Sequence, residues 1–464
     1  MEFKSALKDH IQQVENGTLD IGDFSASVLE KARKIQEKFN AFITLADSIS
    51  FSEKGMLAGV PIAVKDNICT KGMLTTAGSK ILANYMPPFD ATSVELAKAA
   101  GAGILGKTAM DEFGFGTFST NCAYGIPKNP YDPERSCGGS SGGSACAVAA
   151  ADFPIVSIAE STGGSITCPA AFTGTVGITP TYGLVSRWGL IDYANSLDKI
   201  GPIAKTVYDA ALLLSVISGH DKKDSTSLNS AKTDYTSYVG KECKNMKVGI
   251  PKEYFSDQVD QRIKGAVMQS VDKLESEGVS CEETSLPSTE LAIPTYYIIS
   301  MSEASTNLAK FSGLRYGLQQ EFDGNVQDYF TEVRTAGFGD EAKRRIILGT
   351  FMRMAGYRNR YYLKALKVRQ KIINEFNNAF EKYDALIAPS MPILPPKFSE
   401  IEKLEPAQVY GIDVLTVAPN LAGMPTISIP FGTVSDLPVG VQLIAGQLHE
   451  DKLIELGSLL EVLR

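Results

Sequence analysis

The chain has 464 residues, of which 44% are hydrophobic and 21% charged, and its formal net charge at pH 7 is -8. This is the composition of an ordinary globular protein, and it excludes a disordered, collagen-like or coiled-coil chain. The excess of acidic over basic residues argues against direct binding of nucleic acid by this chain alone, because phosphate binding needs concentrated lysine and arginine. No apolar stretch approaches the roughly 20 residues that span a bilayer, so we expect a soluble, cytoplasmic protein.

The residue types that most often build metal and hydrolytic sites are scattered or scarce. The seven cysteines contain no C-x-x-C pair, so neither a disulfide framework nor a zinc site is predicted. Only three histidines occur, His10, His220 and His449. Because most hydrolytic sites use histidine as base or ligand, an enzyme built on this chain must use one of these three or work without histidine.

The spacing of apolar residues predicts alternating helices and strands. An N-terminal helical segment, about residues 1–50, holds two amphipathic helices around a Gly/Asp turn, and a short strand ends at Lys65. A helix is predicted over 91–100 and a strand from Ile104. Residues 114–145 show little periodicity and much Gly, Ser, Asn and Pro, which indicates a long ordered loop of the kind that carries function.

The alternation continues to the end of the chain. Further strands are predicted at 154–159, 246–250, 385–388, 426–430 and 439–444, and further helices at 145–151, 260–277, 345–383 (with a break near Gly356) and 451–463. This pattern indicates an α/β architecture. No low-complexity linker interrupts it, so we expect a single domain over residues 1–464.

Two familiar motifs occur in contexts that disfavour them. Residues 101–108 (GAGILGKT) match the P-loop pattern, but a P-loop lies between a strand and a helix, and here a helix comes first. Residues 139–143 (GSSGG) match the nucleophile elbow, which would make Ser141 the nucleophile, but the Pro-rich residues 129–137 before it do not form a strand pattern. Turns are the simpler interpretation of both, and an ATPase or a histidine-dependent hydrolase is the alternative.

A stronger signal combines two Gly/Ser-rich turns with one lysine. The turns CGGSSGGSA (137–145) and STGGSITCPA (161–170) flank a small-residue helix and an apolar strand, and Lys65 ends an upstream apolar run. Glycine-rich turns free backbone N–H groups that can bind an oxyanion, and a serine there is a nucleophile if a base removes its proton. Lysine is such a base only when it is neutral, which requires burial or nearby positive charge. The alternative is a pair of tight turns without chemistry.

Four segments together resemble the amidase signature family over almost the whole chain: VKDN (64–67), GGSSGGSA (138–145), TGGS (162–165) and PAAFTGTVGITPTYGLVSRWGL (169–190). The resemblance implies that family's fold, a large mixed central β-sheet covered by helices on both faces. It also implies a Ser–Ser–Lys triad that works without histidine, in keeping with the scarcity of histidine here.

The resemblance also implies roles for individual residues. Ser165 resembles the acyl-forming nucleophile, Ser140 the bridging serine beside an unusual cis peptide, and Lys65 the terminal base, with Ser141 as the alternative bridging residue. The implied oxyanion hole consists of backbone N–H groups around three residues, Thr162, Gly163 and Gly164.

Within the family, segments such as KGMLTTAGSKIL (71–82), GKTAMDEFGFG (106–116) and VAPNLAGMPTISIP (417–430) resemble the glutaminase subunits of tRNA-dependent amidotransferases. This likeness implies glutamine as the substrate and a cytoplasmic complex with two other subunits, a kinase-like, tRNA-binding B subunit and a small C subunit. It implies no cofactor in this chain, no membrane contact, and ATP and Mg²⁺ in the partner subunit that converts Glu-tRNA, Asp-tRNA or both.

The same likeness implies a binding site for a zwitterionic amino acid. Arg345 would pair with the α-carboxylate of glutamine, Asp413 would meet its amino group, and Tyr296 would line the pocket. A fixed cation and a carboxylate are what such a ligand needs, and arginine can bind carboxylate through two hydrogen bonds. The residues alone, without the likeness, favour a helix-surface position for Arg345 and a solvated loop position for Asp413.

The chain departs from the family pattern in three places: the stretch before Gly59 is shortened, the spacing from Ser140 to Ser165 is one residue longer, and the turn at 161–167 is altered. Where D-T-G-G-S-I-R is expected, this chain has S-T-G-G-S-I-T, so that Ser161 and Thr167 replace an acid and a base. Losing both partners of an ion pair costs less stability than losing one, because no charge is left without a partner. Glu160 is available as a substitute acid. A free-standing amidase acting on another amide and a catalytically silent scaffold subunit remain alternatives.

Overall fold

A single eleven-stranded mixed β-sheet organises the computed structural model, which describes residues 6–321 and 324–464. The strands are β1 Phe42–Leu45, β2 Pro61–Lys65, β3 Gly103–Thr108, β4 Val156–Ser161, β5 Val176–Thr179, β6 Lys199–Ala204, β7 Lys247–Pro251, β8 Ser280–Thr284, β9 Ala385–Pro389, β10 Thr426–Val434 and β11 Leu437–Ala445. Their spatial order is β1-β3-β2-β4-β6-β5-β10-β11-β9-β7-β8.

The sheet combines parallel and antiparallel pairs. Strand β2 runs parallel to both β3 and β4, and β7 runs parallel to both β8 and β9. The remaining neighbours are antiparallel, including the hairpin β10–β11. Ser435 and Asp436 join that hairpin with φ of 52° and 62°, as a two-residue turn matched to the strand twist requires.

Helices cover both faces of the sheet. Every residue of β2, β3, β4, β6 and β11 is buried, and since successive strand residues face opposite sides, both sides must be covered. The helices are α1 Ala6–Glu15, α2 Ile21–Phe39, α3 Thr92–Ala99, α4 Gly142–Ala150, α5 Thr167–Thr173, α6 Val207–Ile217, α7 Gln261–Ser276, α8 Ala292–Asn307, α9 Val326–Gly337, α10 Asp340–Arg353, α11 Tyr362–Phe380, α12 Phe398–Ile401, α13 Pro406–Gly411, α14 Val417–Ala422 and α15 Glu450–Leu463.

The predicted α/β class with a large mixed sheet covered on both faces is confirmed. The predicted N-terminal segment contains α1 and α2, and its first five residues lie outside the described part of the chain. The small-residue helix begins at Gly142 rather than 145, and the long run 345–383 is two helices, α10 and α11, separated around Gly356.

Several elements were not predicted, among them β5, β6, β8 and α8. Strand β8 lies at the sheet edge with mostly exposed or half-exposed residues, so it lacks the apolar alternation of a half-buried strand. Helix α8 is buried on most sides, with serine and threonine among its buried residues, so its sequence shows no separate apolar and polar faces to detect.

Candidate active site

The Ser/Gly turns and the lysine meet where β2 and β4 end. Lys65 is the last residue of β2, and β4 runs beside it in parallel register with Val64 opposite Ile158. The turn that carries Ser140 leads into α4, and the turn that carries Ser165 follows β4. Parallel strands bring their carboxyl ends to one edge, where ligands usually bind in open α/β sheets.

The Lys65 amine lies in a fully buried cluster of acceptors. Its Nζ atom is 2.7 Å from Ser140 Oγ, 2.9 Å from the backbone oxygen of Glu160 and 2.8 Å from Glu160 Oε2. Side-chain exposure is 0% for Lys65 and 1% for Glu160. Burial lowers the pKa of the Lys65 amine, and the Glu160 carboxylate opposes that shift.

The structure brings Ser140, not Ser141, to the lysine. The Gly139–Ser140 peptide is cis, as the resemblance implied. Ser141 Oγ donates instead to the backbone oxygen of Glu160 at 2.9 Å. The turn is tight, because a Cβ at Gly139 would lie 2.3 Å from Asp111 Oδ2.

Ser165 lies directly against this turn. Its backbone oxygen accepts a hydrogen bond from the Ser141 N–H at 3.3 Å. Its side chain is 7% exposed, whereas Lys65 and Ser140 are at 0%, and its hydroxyl forms no hydrogen bond with any residue that the structure describes. The Ser165 hydroxyl is therefore not held by another side chain of the described residues.

The loop before Ser165 offers unoccupied backbone donors. Within residues 6–321 and 324–464, no acceptor is bound to the N–H groups of Thr162, Gly163 or Gly164. Asn420 Nδ2 fixes the loop by donating to the Gly163 oxygen at 3.0 Å. Such preoriented N–H groups suit a developing oxyanion.

Glycine is required at the centre of this loop. A Cβ at Gly163 would lie 2.6 Å from the Tyr296 ring, and one at Gly164 would lie 2.3 Å from Thr416 Oγ1. Tyr296 therefore lies against the turn that leads to Ser165.

Arg345 lies in a cage of aromatic rings and is only 3% exposed, not on the helix surface. Its guanidinium carbon lies 5.1–5.6 Å from the centres of four rings, those of Phe115, Tyr193, Tyr297 and Tyr410. Its Nε donates to Glu341 at 2.8 Å, and one Nη1 proton is donated to the Tyr193 hydroxyl. Arginine has five N–H bonds, so three remain available for an anion.

Asp413 is hydrogen-bonded to Tyr297, one of the rings that surround Arg345. Its Oδ2 accepts hydrogen bonds from the Tyr297 hydroxyl at 2.7 Å and from Thr117 Oγ1 at 3.0 Å. Burial raises the pKa of Asp413 to about 6, against the opposing effect of these hydrogen bonds and of the Arg345 charge. Thr117, which bonds Asp413, also lines a cavity of about 130 Å³ together with Arg345 and Tyr410.

The departures at Ser161 and Thr167 leave two buried hydroxyls, Ser161 Oγ and Thr167 Oγ1, without a hydrogen-bond partner in the described part of the chain. Glu160 does not take over a pairing with Thr167. Its carboxylate instead bonds the Lys65 amine and, through Oε1, the Thr162 hydroxyl at 2.8 Å.

The P-loop interpretation does not agree with the structure. Lys107 lies inside β3, is fully buried, and donates to the Ile68 oxygen at 2.7 Å and to Thr75 Oγ1 at 2.8 Å, with Asp66 Oδ1 3.7 Å away. Lys107 therefore has a structural role, because its hydrogen bonds link β3 to the segment that follows β2. Among the described residues, no group of three or more His, Cys, Asp or Glu is placed to hold a metal ion, and no helix is long and apolar enough to cross a membrane.

Sequence reasoning missed several residues of this region. The rings that surround Arg345 come from four segments far apart in the chain, and three of them, Phe115, Tyr193 and Tyr410, have no signal in their local sequence. The sole visible signals were the Tyr-Tyr pair at 296–297 and the acid at 160 beside the Gly-rich turn.

A buried Lys–Ser pair beside free backbone donors, without histidine, defines the class of protein. The amidase family model matches residues 6–454, and the chain belongs to this family, so the resemblance drawn from the motifs is confirmed. The chain is 46% identical over 462 residues to the A subunit of the glutamyl-tRNA(Gln) amidotransferase of Desulforamulus reducens, covering 99% of this chain and 93% of that one.

Two further relatives agree. The protein of the same name from Methanococcoides burtonii is 50% identical over 400 residues, covering 86% of this chain and 83% of that one. The crystal structure of the glutamyl-tRNA(Gln) amidotransferase A subunit from Thermotoga maritima is 38% identical in sequence with a TM-score of 0.81, covering 97% of this chain and 90% of that one.

Proposed function

We propose that this chain is the glutamine-hydrolysing subunit of a tRNA-dependent amidotransferase. The observation that carries the chemistry is the 2.7 Å contact between two fully buried groups, Lys65 Nζ and Ser140 Oγ. The names of relatives that match nearly the whole chain support the biological reaction.

In this proposal Lys65, in its neutral form, is the base. It draws a proton through Ser140 from Ser165, whose oxygen attacks the side-chain amide carbon of glutamine. The resulting oxyanion binds to the free N–H groups of Thr162, Gly163 and Gly164, where losing one donor typically costs about 3 kcal/mol in the barrier.

Breakdown of this intermediate reverses the proton relay. The proton on Lys65 returns through Ser140 to the leaving nitrogen, the C–N bond breaks, and ammonia departs from a glutamyl ester on Ser165. Water then attacks that ester with the same base and releases glutamate, so that each proton removed in one half of the reaction is returned in the other.

Arg345 and Asp413 are proposed to select glutamine. The three unused N–H bonds of Arg345 can bind the α-carboxylate, and the Asp413 carboxylate can accept from the α-ammonium. Tyr296 would close the pocket on the nucleophile side. A free-standing amidase for an apolar amide would have no use for two buried charges, because burying a charge without a partner is costly.

The finer part of the proposal concerns partners. Ammonia would pass to a tRNA-binding, kinase-like B subunit that uses ATP and Mg²⁺, with a small C subunit completing the complex. The acidic balance of this chain, with 53 Asp and Glu against 45 Lys and Arg, supports tRNA binding mainly by the partner.

The test compares two nitrogen sources in the assembled complex. Ser165→Ala should abolish amidation of the misacylated tRNA with glutamine and leave amidation with ammonium chloride intact. Ser144→Ala is the matched control, because Ser144 is a buried serine whose hydroxyl bonds Thr108 rather than the relay. Glutamine-dependent amidation that survives in Ser165→Ala would rule out the proposal.

A further inference from the structure

Glu160 makes more contacts with the base than any other residue at the site. Both its backbone oxygen and its carboxylate Oε2 lie within hydrogen-bond distance of Lys65 Nζ, at 2.9 and 2.8 Å. A neutral amine has two N–H bonds and one lone pair. If both N–H bonds go to Glu160, the lone pair is directed at the third neighbour, Ser140 Oγ.

The Glu160 carboxylate also contacts Thr162, which links it to a second buried acid. The Thr162 hydroxyl lies 2.8 Å from Glu160 Oε1 and 2.8 Å from Asp198 Oδ1. The single proton of this hydroxyl is therefore placed between two carboxyl oxygens that can accept it.

Asp198 is the second acid of this pair. It lies fully buried, and burial together with the Glu160 carboxylate raises its pKa well above the ordinary value, against the opposing effect of hydrogen bonds from the Ala194 N–H. Glu160 is the member that contacts the Lys65 amine, and it also receives the Asn67 amide at 3.1 Å. Thr162 therefore links Asp198 to the side chain that contacts Lys65.

We propose that Glu160 is a positioning residue that orients the Lys65 amine toward Ser140 and sets the pH range in which Lys65 is the base. The proposal rests on the proposed function only in taking Lys65 as the base. An opposite charge in direct contact stabilises the ammonium form against burial. Glu160 therefore raises the pH at which the lone pair becomes available.

Two other acids face Lys65 from neighbouring segments. Asp111 follows β3, and its carboxylate is held by the Ser119 and Asn121 N–H groups at 2.9 Å each. Asp198 precedes β6, and its carboxyl oxygens accept hydrogen bonds from the backbone N–H groups of Tyr193 and Ala194 at 2.9–3.1 Å. Both favour the Lys65 ammonium more weakly than Glu160 does, so Glu160 dominates the charge balance at the base.

The experiment measures the rate at which a fluorophosphonate labels Ser165 in the full-length chain, as a function of pH. This reagent reports activation of the serine whether or not glutamine is a substrate. Glu160→Gln keeps an oxygen acceptor for Lys65 and removes the charge, so the acidic limb of the pH profile should move to lower pH by roughly 1–3 units. Glu160→Asp should move the limb back toward the wild-type position.

The control is Glu455→Gln, a buried glutamate of α15 next to Lys452, which should leave the limb unchanged. If Glu160→Gln lowers the labelling rate at every pH but leaves the acidic limb at its wild-type pH, Glu160 has a merely structural role and the inference is overturned. Absence of labelling at Ser165 in the wild type would overturn both this inference and the proposed base. A shifted limb in an enzyme that does not hydrolyse glutamine would support the inference and reject the proposed function.

Discussion

The sharpest prediction separates two neighbouring arginines of α10. Arg345 is 3% exposed and surrounded by aromatic rings, whereas Arg344 is 42% exposed and pairs with Glu341 at the surface. The perturbation is Arg345→Lys, with Arg344→Lys as the matched control. Lysine keeps the positive charge but loses the planar fork that can hold a carboxylate through two hydrogen bonds.

The magnitude follows from the hydrogen bonds at stake. Hydrogen bonds to charged groups are worth about 1.5–3 kcal/mol, and lysine would lose at least one such bond to the glutamine carboxylate. This corresponds to a loss of roughly 10- to 150-fold in kcat/KM for glutamine. Because the α-carboxylate lies away from the reacting amide, the loss should fall mainly on KM and leave kcat nearly unchanged.

The assay is ammonia release from glutamine at varied substrate concentration, in the assembled complex. Fluorophosphonate labelling of Ser165 should be insensitive to Arg345→Lys, since that reagent carries no α-carboxylate. Arg344→Lys should change kcat/KM by less than about threefold, as expected for an exposed pair. Equal effects of the two substitutions, or an unchanged KM in Arg345→Lys, would show that Arg345 does not bind the α-carboxylate of glutamine.

Three further predictions concern charge, packing and the rejected nucleotide motif. Glutamine binding to the Ser165→Ala variant, measured by calorimetry, should be nearly constant around neutral pH, where both the Asp413 carboxylate and the α-ammonium of glutamine are charged. It should weaken by about tenfold per pH unit once the pH falls below the Asp413 pKa of about 6, and Asp413→Asn should remove this dependence. Thr167→Val should raise the free energy of unfolding by up to about 1 kcal/mol, because it removes a buried hydroxyl without a partner. Thr173→Val should lower it by about 1 kcal/mol, because the Thr173 hydroxyl donates to a backbone oxygen at 2.8 Å. Urea denaturation that shows a change of the same sign in both variants would contradict this prediction. Lys107→Met should lower the free energy of unfolding by about 3–5 kcal/mol in the same measurement, because it leaves the buried Asp66 carboxylate without its charged partner. A variant that keeps full stability but loses ATP binding would restore the P-loop interpretation.

Much of the fold was predictable because its elements are marked locally. The apolar runs that end at Lys65 and that form β9, β10 and β11 are short and β-type, and the Gly/Ser turns are visible as composition. The position of the break between α10 and α11 followed from Gly356. These are properties of a few consecutive residues, so tertiary contacts did not need to be known.

The sequence by itself determined which groups are available: a lysine at the end of a strand, serines in two glycine-rich turns, and an arginine and an aspartate that suit a zwitterion. Only the tertiary structure decided which of them meet. The register between β2 and β4 brings Glu160 onto Lys65, and rings from four distant segments enclose Arg345. The reason is physical, since strand register and ring packing are set by the burial of the whole sheet and its helices, which no local pattern encodes.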